Sequence, residues 1–401
     1  MRFPEFTEEW GKCKVSDLLD IYSTNSLSWE QLEYDTNAIM NLHYGLIHVG
    51  LPTMVNLTKD KLPNIKEGNM PKNFELCKEG DVAFADASED TNEVAKTVEF
   101  FNLAGKDIVC GLHTIHGRDN KNRTVIGYKG YAFSSTAFHN QIRRIAQGTK
   151  IYSISSKNFS ECYIGLPSKP EQTKIATLLR LIDERIVTQN KIIEKLQSLI
   201  KGIVDELMTV LLKGKLYPFS SFYIKAGEGG TPTTSVNEYY LGGTIPFIKI
   251  EDLSCKYLTS NKDFITELGM QKSSAWLIPS HSVIYSNGAT IGAISINEYP
   301  ICTKQGILGI VPNTNINVEY LYLLMSSSYF SKEVNRIVTE GTMKTAYLKD
   351  INHIKCPLPS MAQQQNITNL TSSIEKKLFV EQELLKLLNI QKQHLLRTMF
   401  I

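Results

Sequence analysis

The sequence predicts an α+β protein. Two mixed α/β domains are separated by two long antiparallel coiled-coil helices, forming a pseudo-two-fold internal repeat. Two observations lead to this fold class. A segment of about forty residues recurs without gaps 192 positions further along the 401-residue chain, and both copies carry apolar residues at coiled-coil spacing. The predicted order is domain 1 (1–163), a first helix (164–213), domain 2 (214–355) and a second helix (356–401).

The repeat is clearest where each helix begins. Leu166-Pro167-Ser168 recurs as Leu358-Pro359-Ser360, and Gly148-Thr149 recurs upstream as Gly341-Thr342. Similarity fades towards the N-terminal side of each copy. The two copies therefore share their helix starts and differ in the N-terminal regions, which would contact a partner.

Capping boxes mark the two helix starts. Ser168 precedes Glu171 by three residues, and Ser360 precedes Gln363 by the same distance. In such a box the serine accepts from a backbone N–H while the acid or amide reaches back to the serine N–H. We therefore predict that both helices start at these serines.

Apolar residues then follow in steps of four and three, which is the spacing of a coiled-coil seam. Two tandem copies related by a two-fold axis across the helices would pair them antiparallel, with one domain at each end. Forty residues of helix span about 60 Å, so the pair would act as a ruler. The alternative is that each stripe packs only on its own domain. The predicted helix-pair interface comprises Ile175, Leu179, Ile182, Ile186, Gln189, Ile193, Leu196, Ile200 and Ile203 with Ile367, Ile374, Leu378, Glu381, Leu385, Leu388 and Leu395.

Gln189 and Glu381 interrupt the two stripes at equivalent positions near the middle of each helix. A polar residue within a seam costs stability but can fix the register of pairing. In the alternative interpretation, both side chains face solvent where the stripe drifts around the helix.

The two domains are predicted to be mixed α/β. Short strands are indicated at 107–110, 124–128, 245–250 and 282–285, with glycine-rich turns between them. A short amphipathic helix precedes each Gly-Thr pair, as at 318–338.

Polar and basic residues near predicted loops are candidates for contacts with nucleic acid. Arg, Lys and Asn are the side chains that grip phosphates and read base edges. A solvated hairpin loop is the alternative interpretation of each run. The candidates are His116, Arg118, Asn120, Lys121, Arg123 and Lys129 in domain 1, with Thr231, Thr233, Lys249, Lys256, Lys272, Asn287 and Lys304 in domain 2.

The sequence contains neither a GxxxxGK[ST] phosphate loop nor an HExxH motif. His113 and His116 have no acidic or thiol partner at the usual ligand spacing, so we expect no metal site. Gly227-Glu228-Gly229-Gly230 does not match GxGxxG and is interpreted as a turn. We therefore expect no catalytic residues in this chain.

Composition limits the cellular setting. The formal net charge is only +2, so affinity for a polyanion must come from local patches. Seven cysteines without a CxxC pair indicate reduced thiols in a cytoplasmic protein. The acidic N-terminus lacks the apolar stretch of a signal peptide, and no apolar run approaches the ~20 residues that span a bilayer.

Taken together, these features resemble the specificity subunit of type I restriction–modification systems. In each copy of the repeat, Gly-Thr near the end of the domain is followed by Leu-Pro-Ser, a Gln-containing helix start and a heptad helix, in that order. The segments Phe3-Pro4-Glu5-Phe6 with Trp10, 229–233 and 245–248 are also similar to that family. The resemblance covers essentially the whole chain.

The resemblance implies that each block is a target recognition domain reading one half of a split, asymmetric DNA site. The helix pair would set the unread spacer and dock two modification subunits, which carry S-adenosylmethionine and methylate adenine. Two ATP-driven restriction subunits can join them. This chain would hold no cofactor and would not enter a membrane. One departure is that the Glu171-Gln172 pair of the first copy is Gln363-Gln364 in the second, which puts equivalent docking of the two sides in doubt.

Three other functions remain open from the residues alone. A protein-binding scaffold would show no salt-dependent DNA binding. An enzyme with unrecognised motifs would bind S-adenosylmethionine or cleave DNA with a metal. A stand-alone regulator would bind DNA without partner subunits.

Overall fold

The computed structural model describes residues 2–338 and 344–400. The chain divides into two units, residues 1–191 with 383–401 and residues 192–382. Each unit holds one α/β domain together with half of each long helix. The Gly341-Thr342 pair of the sequence repeat lies outside the described residues.

Domain 1 is built from short strands and helices. Its strands are β1 (Gly11–Lys14), β2 (Asp20–Tyr22), β3 (Leu32–Glu33), β4 (Met40–Leu42), β5 (Met54–Asn56), β6 (Asn64–Ile65), β7 (Val82–Ala85), β8 (Ala87–Ser88), β9 (Thr97–Asn102), β10 (Ile108–Cys110), β11 (Thr114–Arg118), β12 (Tyr152–Ser153) and β13 (Tyr163–Leu166). Its helices are α1 (Val15–Leu18), α2 (Tyr44–Val49), α3 (Tyr128–Phe133), α4 (Thr136–Ile145) and α5 (Ser156–Ser160). The first long helix, α6 (Lys169–Leu211), follows.

Domain 2 has the same kind of composition. Its strands are β14 (Leu216–Pro218), β15 (Tyr223–Glu228), β16 (Ile245–Ile248), β17 (Tyr257–Leu258), β18 (Asp263–Ile265), β19 (Val283–Ser286), β20 (Ile294–Asn297), β21 (Cys302–Thr303), β22 (Ile307–Pro312) and β23 (Lys355–Pro357). Its helices are α7 (Glu267–Gln271), α8 (Val318–Ser326), α9 (Ser328–Ile337) and α10 (Leu348–Ile351), and the second long helix is α11 (Met361–Thr398).

The two domains share one sheet topology. Domain 1 has a five-stranded sheet in the order β2-β11-β7-β9-β5, and domain 2 repeats it as β15-β22-β19-β20-β17. In both sheets the last pair is parallel and the others are antiparallel. A second sheet pairs β4 with β10 in parallel, as β16 pairs with β21. The structural repeat thus extends far beyond the recognisable sequence repeat.

A buried glutamine fastens each long helix to its own domain. Gln172 Oε1 accepts from the Val125 N–H at 2.9 Å, and its Nε2 donates to the carbonyls of Arg123 and Pro167. Gln364 makes the matching bonds, accepting from the Asn317 N–H at 2.8 Å. Its Nε2 donates to the carbonyls of two further residues, Asn315 and Pro359. Each bond in one domain has its counterpart 192 residues away in the other.

In the first unit the start of α6 packs against the end of α11. Ile175 and Ile182 of α6 share a buried core with Leu395 of α11. Lys392 Nζ also lies 2.6 Å from Asp183 Oδ1. Residues early in one helix therefore meet residues late in the other.

In the second unit the other halves of the helices meet. Val204 and Met208, late in α6, share a core with Ile367, early in α11. Contacts in both units therefore run antiparallel, and the predicted fold class is confirmed.

The seam drifts from its predicted positions towards the end of α6. Val204 and Met208 are buried there, while Ile203 is half-buried. An α-helix has 3.6 residues per turn. A stripe of residues predicted with a period of 3.5 residues therefore shifts around the helix by about 20° per heptad. Gln189 is fully buried and Glu381 is 6% exposed, so the alternative that they face solvent is wrong.

Two local predictions are wrong. Residues 124–128 form no strand, because their amides bind side chains: Asp119 accepts from the Thr124 N–H and Glu99 from the Gly127 N–H. Gly127 also adopts a φ of +93°, which an extended strand does not allow. The helix expected over 318–338 is broken at Ser327, whose hydroxyl accepts from the Phe330 N–H and caps a new helix.

The two predicted capping boxes have different outcomes. In the second copy Gln363 Oε1 accepts from the Ser360 N–H at 3.0 Å, and Ser360 Oγ accepts from the Gln363 N–H, as expected. In the first copy Glu171 instead accepts two bonds from Arg2, at 2.7 and 2.8 Å. A guanidinium offers the carboxylate a stronger, bidentate partner than a backbone amide does.

Within residues 2–338 and 344–400, the helices are too short or too polar to cross a bilayer.

Candidate nucleic-acid interface

Three strand ends meet at one edge of domain 2. The chain leaves β15 at Glu228, β16 at Ile248 and β21 at Thr303. The Gly230 N–H donates to the Thr303 carbonyl at 3.0 Å, and the Lys304 N–H donates to the Ile248 carbonyl at 2.9 Å. We call residues 229–233, 249, 272–274 and 304–306 the strand-end surface of domain 2.

Glycines allow the turn after β15 to pack tightly against this edge. A Cβ on Gly229 would lie 2.1 Å from the Thr303 carbonyl oxygen, and one on Gly230 would lie 2.3 Å from Ser274 Oγ. No other residue type fits without backbone movement. The turn predicted at 227–230 is only partly correct, because Gly227 and Glu228 belong to β15 and the chain leaves this strand at Gly229. Thr231 Oγ1 then accepts from the Gln305 N–H at 3.4 Å.

Five of the seven domain 2 candidates are on this surface. Thr233, Lys272 and Lys304 are exposed, and Thr231 is half-buried. Lys249 Nζ lies 2.8 Å from Asp263 Oδ2, and this hydrogen bond raises the pKa of Lys249. The structure therefore gathers ammonium groups and hydroxyls from distant parts of the sequence at one edge.

The other two domain 2 candidates are engaged inside the unit. Lys256 Nζ lies 2.6 Å from Glu375 on α11 and also pairs with Glu319. Asn287 is buried and donates to the Ala346 carbonyl at 3.1 Å. Neither side chain is available at the strand-end surface.

Domain 1 has an equivalent edge that the sequence did not reveal. The turn from β10 to β11 passes through His113 with a φ of +55°, and the turn from β21 to β22 passes through Gly306 with a φ of +84°. The His113 carbonyl accepts from the Asp86 N–H at 3.0 Å, as the Gly306 carbonyl accepts from the Asn287 N–H. The two turns therefore occupy the same place in the repeated fold.

A concave pocket of about 450 Å³ opens beside His113. We call its lining the strand-end surface of domain 1: Thr24, Asn25, Ser26, Leu27, Pro71, Asn73, Leu112 and His113. Its amides and hydroxyls can both donate and accept hydrogen bonds. No local motif marks it, because the lining comes from three separate segments.

The exposed domain 1 candidates lie at the other end of β11. Asn120, Lys121 and Arg123 follow the last residue of this five-residue strand, which is about 16 Å long. Asn120 Nδ2 donates to Asp20 at 2.7 Å, and Lys121 Nζ donates to the Asp17 carbonyl at 3.0 Å. They lie beside the start of α6, where Gln172 binds the Arg123 carbonyl.

Two other candidates form a buried ionic network around Asp81. His116 Nε2 lies 2.8 Å from Asp81 Oδ2, and Arg118 binds both Asp81 oxygens and Glu75. Burial opposes ionisation of Asp81, but the hydrogen bonds from His116 and Arg118 hold its pKa below the usual value. The network would have to break before either side chain could reach DNA.

Lys129 is also buried, and its Nζ lies 3.2 Å from Glu99 Oε1. Burial raises the pKa of Glu99, while Lys129 and the amides of Gly127 and Gly130 oppose that rise. The ammonium group of Lys129 thus offsets the buried negative charge of Glu99.

Comparisons with known proteins agree with this architecture. A family model described as the type I restriction modification DNA specificity domain matches residues 60–198 and 223–389. The type I restriction enzyme MjaIX specificity subunit of Methanocaldococcus jannaschii is 30% identical over 147 residues, which are 36% of this chain and 34% of that protein. The EcoR124I/EcoR124II specificity subunit of Escherichia coli is 27% identical over 153 residues, 37% of each chain. These two matches span only about a third of each relative's length.

Longer matches also exist. The putative MjaX specificity subunit of Methanocaldococcus jannaschii is 24% identical over 391 residues, covering 92% of this chain and 88% of that one. The crystal structure of the type I system S subunit from M. genitalium aligns with a TM-score of 0.55 at 17% identity, over 100% of this chain and 99% of that one. A chain from a structure on assembly and conformational transition of the type I R-M system aligns with a TM-score of 0.59 at 15% identity, over 98% and 97%. At these identities the structural likeness concerns the fold.

Proposed function

Because this chain belongs to the type I restriction–modification DNA specificity family, whose model matches its residues 60–198 and 223–389, we propose that it is the DNA-recognition subunit of such a system. Each domain reads one half of a bipartite, asymmetric DNA target. The helix pair holds the two domains apart and sets the unread spacer.

The repeated fold with unlike strand-end surfaces is the observation that carries this proposal. Domain 2 presents Lys272, Lys304 and threonine hydroxyls, while the equivalent edge of domain 1 presents Ser26, Asn73 and His113. Lysines supply salt-sensitive affinity for phosphates, whereas amides and hydroxyls select base edges. Unlike side chains on a common frame suit an asymmetric site read by two related domains.

Partner subunits supply the chemistry in this proposal. Two modification subunits, which bind S-adenosylmethionine and methylate adenine, dock on the helix pair, and two ATP-driven restriction subunits can join them. In this proposal S-adenosylmethionine binds the modification subunits and not this chain, which remains off the membrane. We also propose a cytoplasmic location, because the seven cysteines form no disulfide, as expected in a reducing compartment.

Methylation profiling tests the class of function. Cells lacking other adenine methylation would carry this chain with its neighbouring modification subunit, and control cells would lack this chain alone. We expect one bipartite adenine-methylated motif that disappears in the control. Methylation of a continuous motif, or a motif unchanged in the control, would refute the proposal.

Substitutions on the strand-end surface test where DNA binds. In the complex with modification subunits, K304A and K272A should each weaken binding to motif DNA and reduce the slope of log K against log salt by about 0.9 for each lost phosphate contact. K332A removes an exposed lysine of α9, which is not among the residues of this surface, and serves as the control. Equal slopes for all three variants would exclude this surface as the DNA-binding site.

A further inference from the structure

Three potential metal ligands meet in the core of domain 1, although they are far apart in sequence. Cys77 Sγ lies 3.6 Å from Cys110 Sγ, and a ring nitrogen of His116 completes a group whose atoms all lie within 4.8 Å of one another. The three residues are at most 6% exposed. We propose that Cys77, Cys110 and His116 bind a Zn²⁺ ion that fixes the strand-end surface of domain 1.

The distances and ligand types fit zinc. Two sulfurs on one tetrahedral Zn²⁺, each about 2.3 Å from the metal, lie about 3.8 Å apart, close to the separation found here. Two thiolates and a neutral imidazole cancel the charge of the ion, so the buried site carries no net charge. Soft thiolate ligands favour Zn²⁺ over Mg²⁺ or Ca²⁺. Three protein ligands leave one tetrahedral position for a small ligand such as water.

The orientation of His116 is independent support. Its Nε2 is bound to Asp81 at 2.8 Å, while Nδ1 is buried without a hydrogen-bond partner among the described residues. A carboxylate on one ring nitrogen and a metal on the other is the usual arrangement of a zinc-binding histidine. Asp81 therefore acts as a positioning residue that leaves Nδ1 for the ion.

Domain 2 shows that the shared fold does not require these ligands. The Cys77 N–H donates to the Ile108 carbonyl, as the Ile278 N–H donates to the Ile301 carbonyl. By the same strand pairing, Cys110 corresponds to Thr303 and His116 to Gly309.

An apolar side chain fills this space in domain 2. A Cβ on Gly309 would lie 2.4 Å from Ile278 Cδ1, so the isoleucine occupies the volume that His116 enters in domain 1. Domain 1 has thus replaced apolar packing with three convergent ligands. The sequence did not reveal the site, because no two of the ligands have the short spacing of a zinc motif.

The ion would tie together parts of the chain that form the strand-end surface. Cys110 ends β10, and His116 lies in β11 of the other sheet. The turn between them contains Leu112 and His113, which line the pocket. One zinc ion bound by Cys110 before this turn and by His116 after it would restrict the movement of the turn and so fix the shape of the pocket.

Metal analysis of the full chain tests the site directly. Protein purified under reducing conditions with added Zn²⁺ should contain about one zinc per chain, and Co²⁺ should replace it with near-ultraviolet thiolate-to-cobalt bands. C77A/C110A should lose the zinc and these bands. The control C162A/C356A removes two other buried thiols and should retain both.

A second variant guards against a simple folding failure. The triple change C77I/C110T/H116G installs the residues found at equivalent positions of domain 2, and it should fold without bound zinc. The proposal is overturned if wild-type protein holds no zinc after loading, if cobalt gives no thiolate bands, or if a Cys77–Cys110 disulfide appears under these conditions. Equal zinc content in wild type and the triple variant would also overturn it.

Discussion

The single residues that most clearly repeat between the domains are Gln172 and Gln364. Each is buried and makes three hydrogen bonds to backbone groups that precede its own helix. These bonds join the start of a long helix to the domain before it. The two glutamines therefore hold the start of each long helix in place against its own domain.

Q172A and Q364A should each destabilise their own unit by about 2 kcal/mol, because buried backbone groups lose their partners. Urea unfolding would measure the loss, and hydrogen exchange should show faster exchange at the amides of Val125 or Asn317 respectively. Q365A alters an exposed neighbour and should change stability by less than ~0.5 kcal/mol. If Q364A and Q365A lower the free energy of unfolding by equal amounts, Gln364 does not fasten the helix to its domain.

The positions of the candidate binding residues were only partly predictable. The glycines predicted a turn at 227–230, whereas the chain leaves β15 only at Gly229, where Gly229 and Gly230 are sterically required. The basic run after His113 suggests a binding loop, but Arg118 and His116 belong to a buried network with Asp81. A sequence shows that a side chain is charged and does not show whether a buried carboxylate lies opposite it.

Among the elements, the two long helices were the most predictable. Their periodic apolar residues are local in sequence. The stripes are buried near the helix starts, as at Ile175 and Ile367, and only half-buried at positions such as Leu196 and Leu378. Short strands were harder to predict, because side chains from distant segments decide their hydrogen bonds. At 124–128, Asp119 and Glu99 take the amides that a strand partner would need.

Two buried polar residues of the long helices, Gln189 and Glu381, lead to a prediction about register. The double variant Q189L/E381L should remain folded, because leucine suits a seam, but it should pair in more than one register. The native Asp183–Lys392 contact provides the marker. With Cys255→Ser removing the exposed thiol, D183C/K392C should crosslink in the parent chain.

In the double variant, position 183 should also reach position 385, which lies one heptad before 392. Cysteines introduced by D183C/L385C should therefore crosslink in this variant. The parent chain with the same shifted cysteines is the control and should not crosslink. A double variant that crosslinks only at 183 and 392 would show that Gln189 and Glu381 do not set the register.

At the scale of the whole molecule, the fold repeats where the sequence no longer does. The five-stranded sheets have the same order and the same mixture of parallel and antiparallel pairs. Such a frame needs apolar residues inside and compatible turns, and many sequences meet both requirements. The helix starts remain similar because Gln172 and Gln364 need specific partners.

Because this equivalence lies in the fold and not in the sequence, the strand-end surface of domain 1 could not be predicted. Its equivalence to the domain 2 edge depends on strand order, as the matching turns at His113 and Gly306 show. Strand order comes from pairings distant in sequence, which no local motif encodes. The long helices and their repeat, by contrast, are encoded locally.

The most direct test of the account lengthens the helix pair and records the methylated motif in cells. One heptad is inserted in each long helix, after Gln189 and after Glu381, so that the seam keeps its period. Seven residues add about 10.5 Å of helix, equivalent to about three base pairs. We predict unchanged half-sites separated by a spacer about three base pairs longer, whereas altered half-site bases or an unchanged spacer in a folded, active complex would contradict the account.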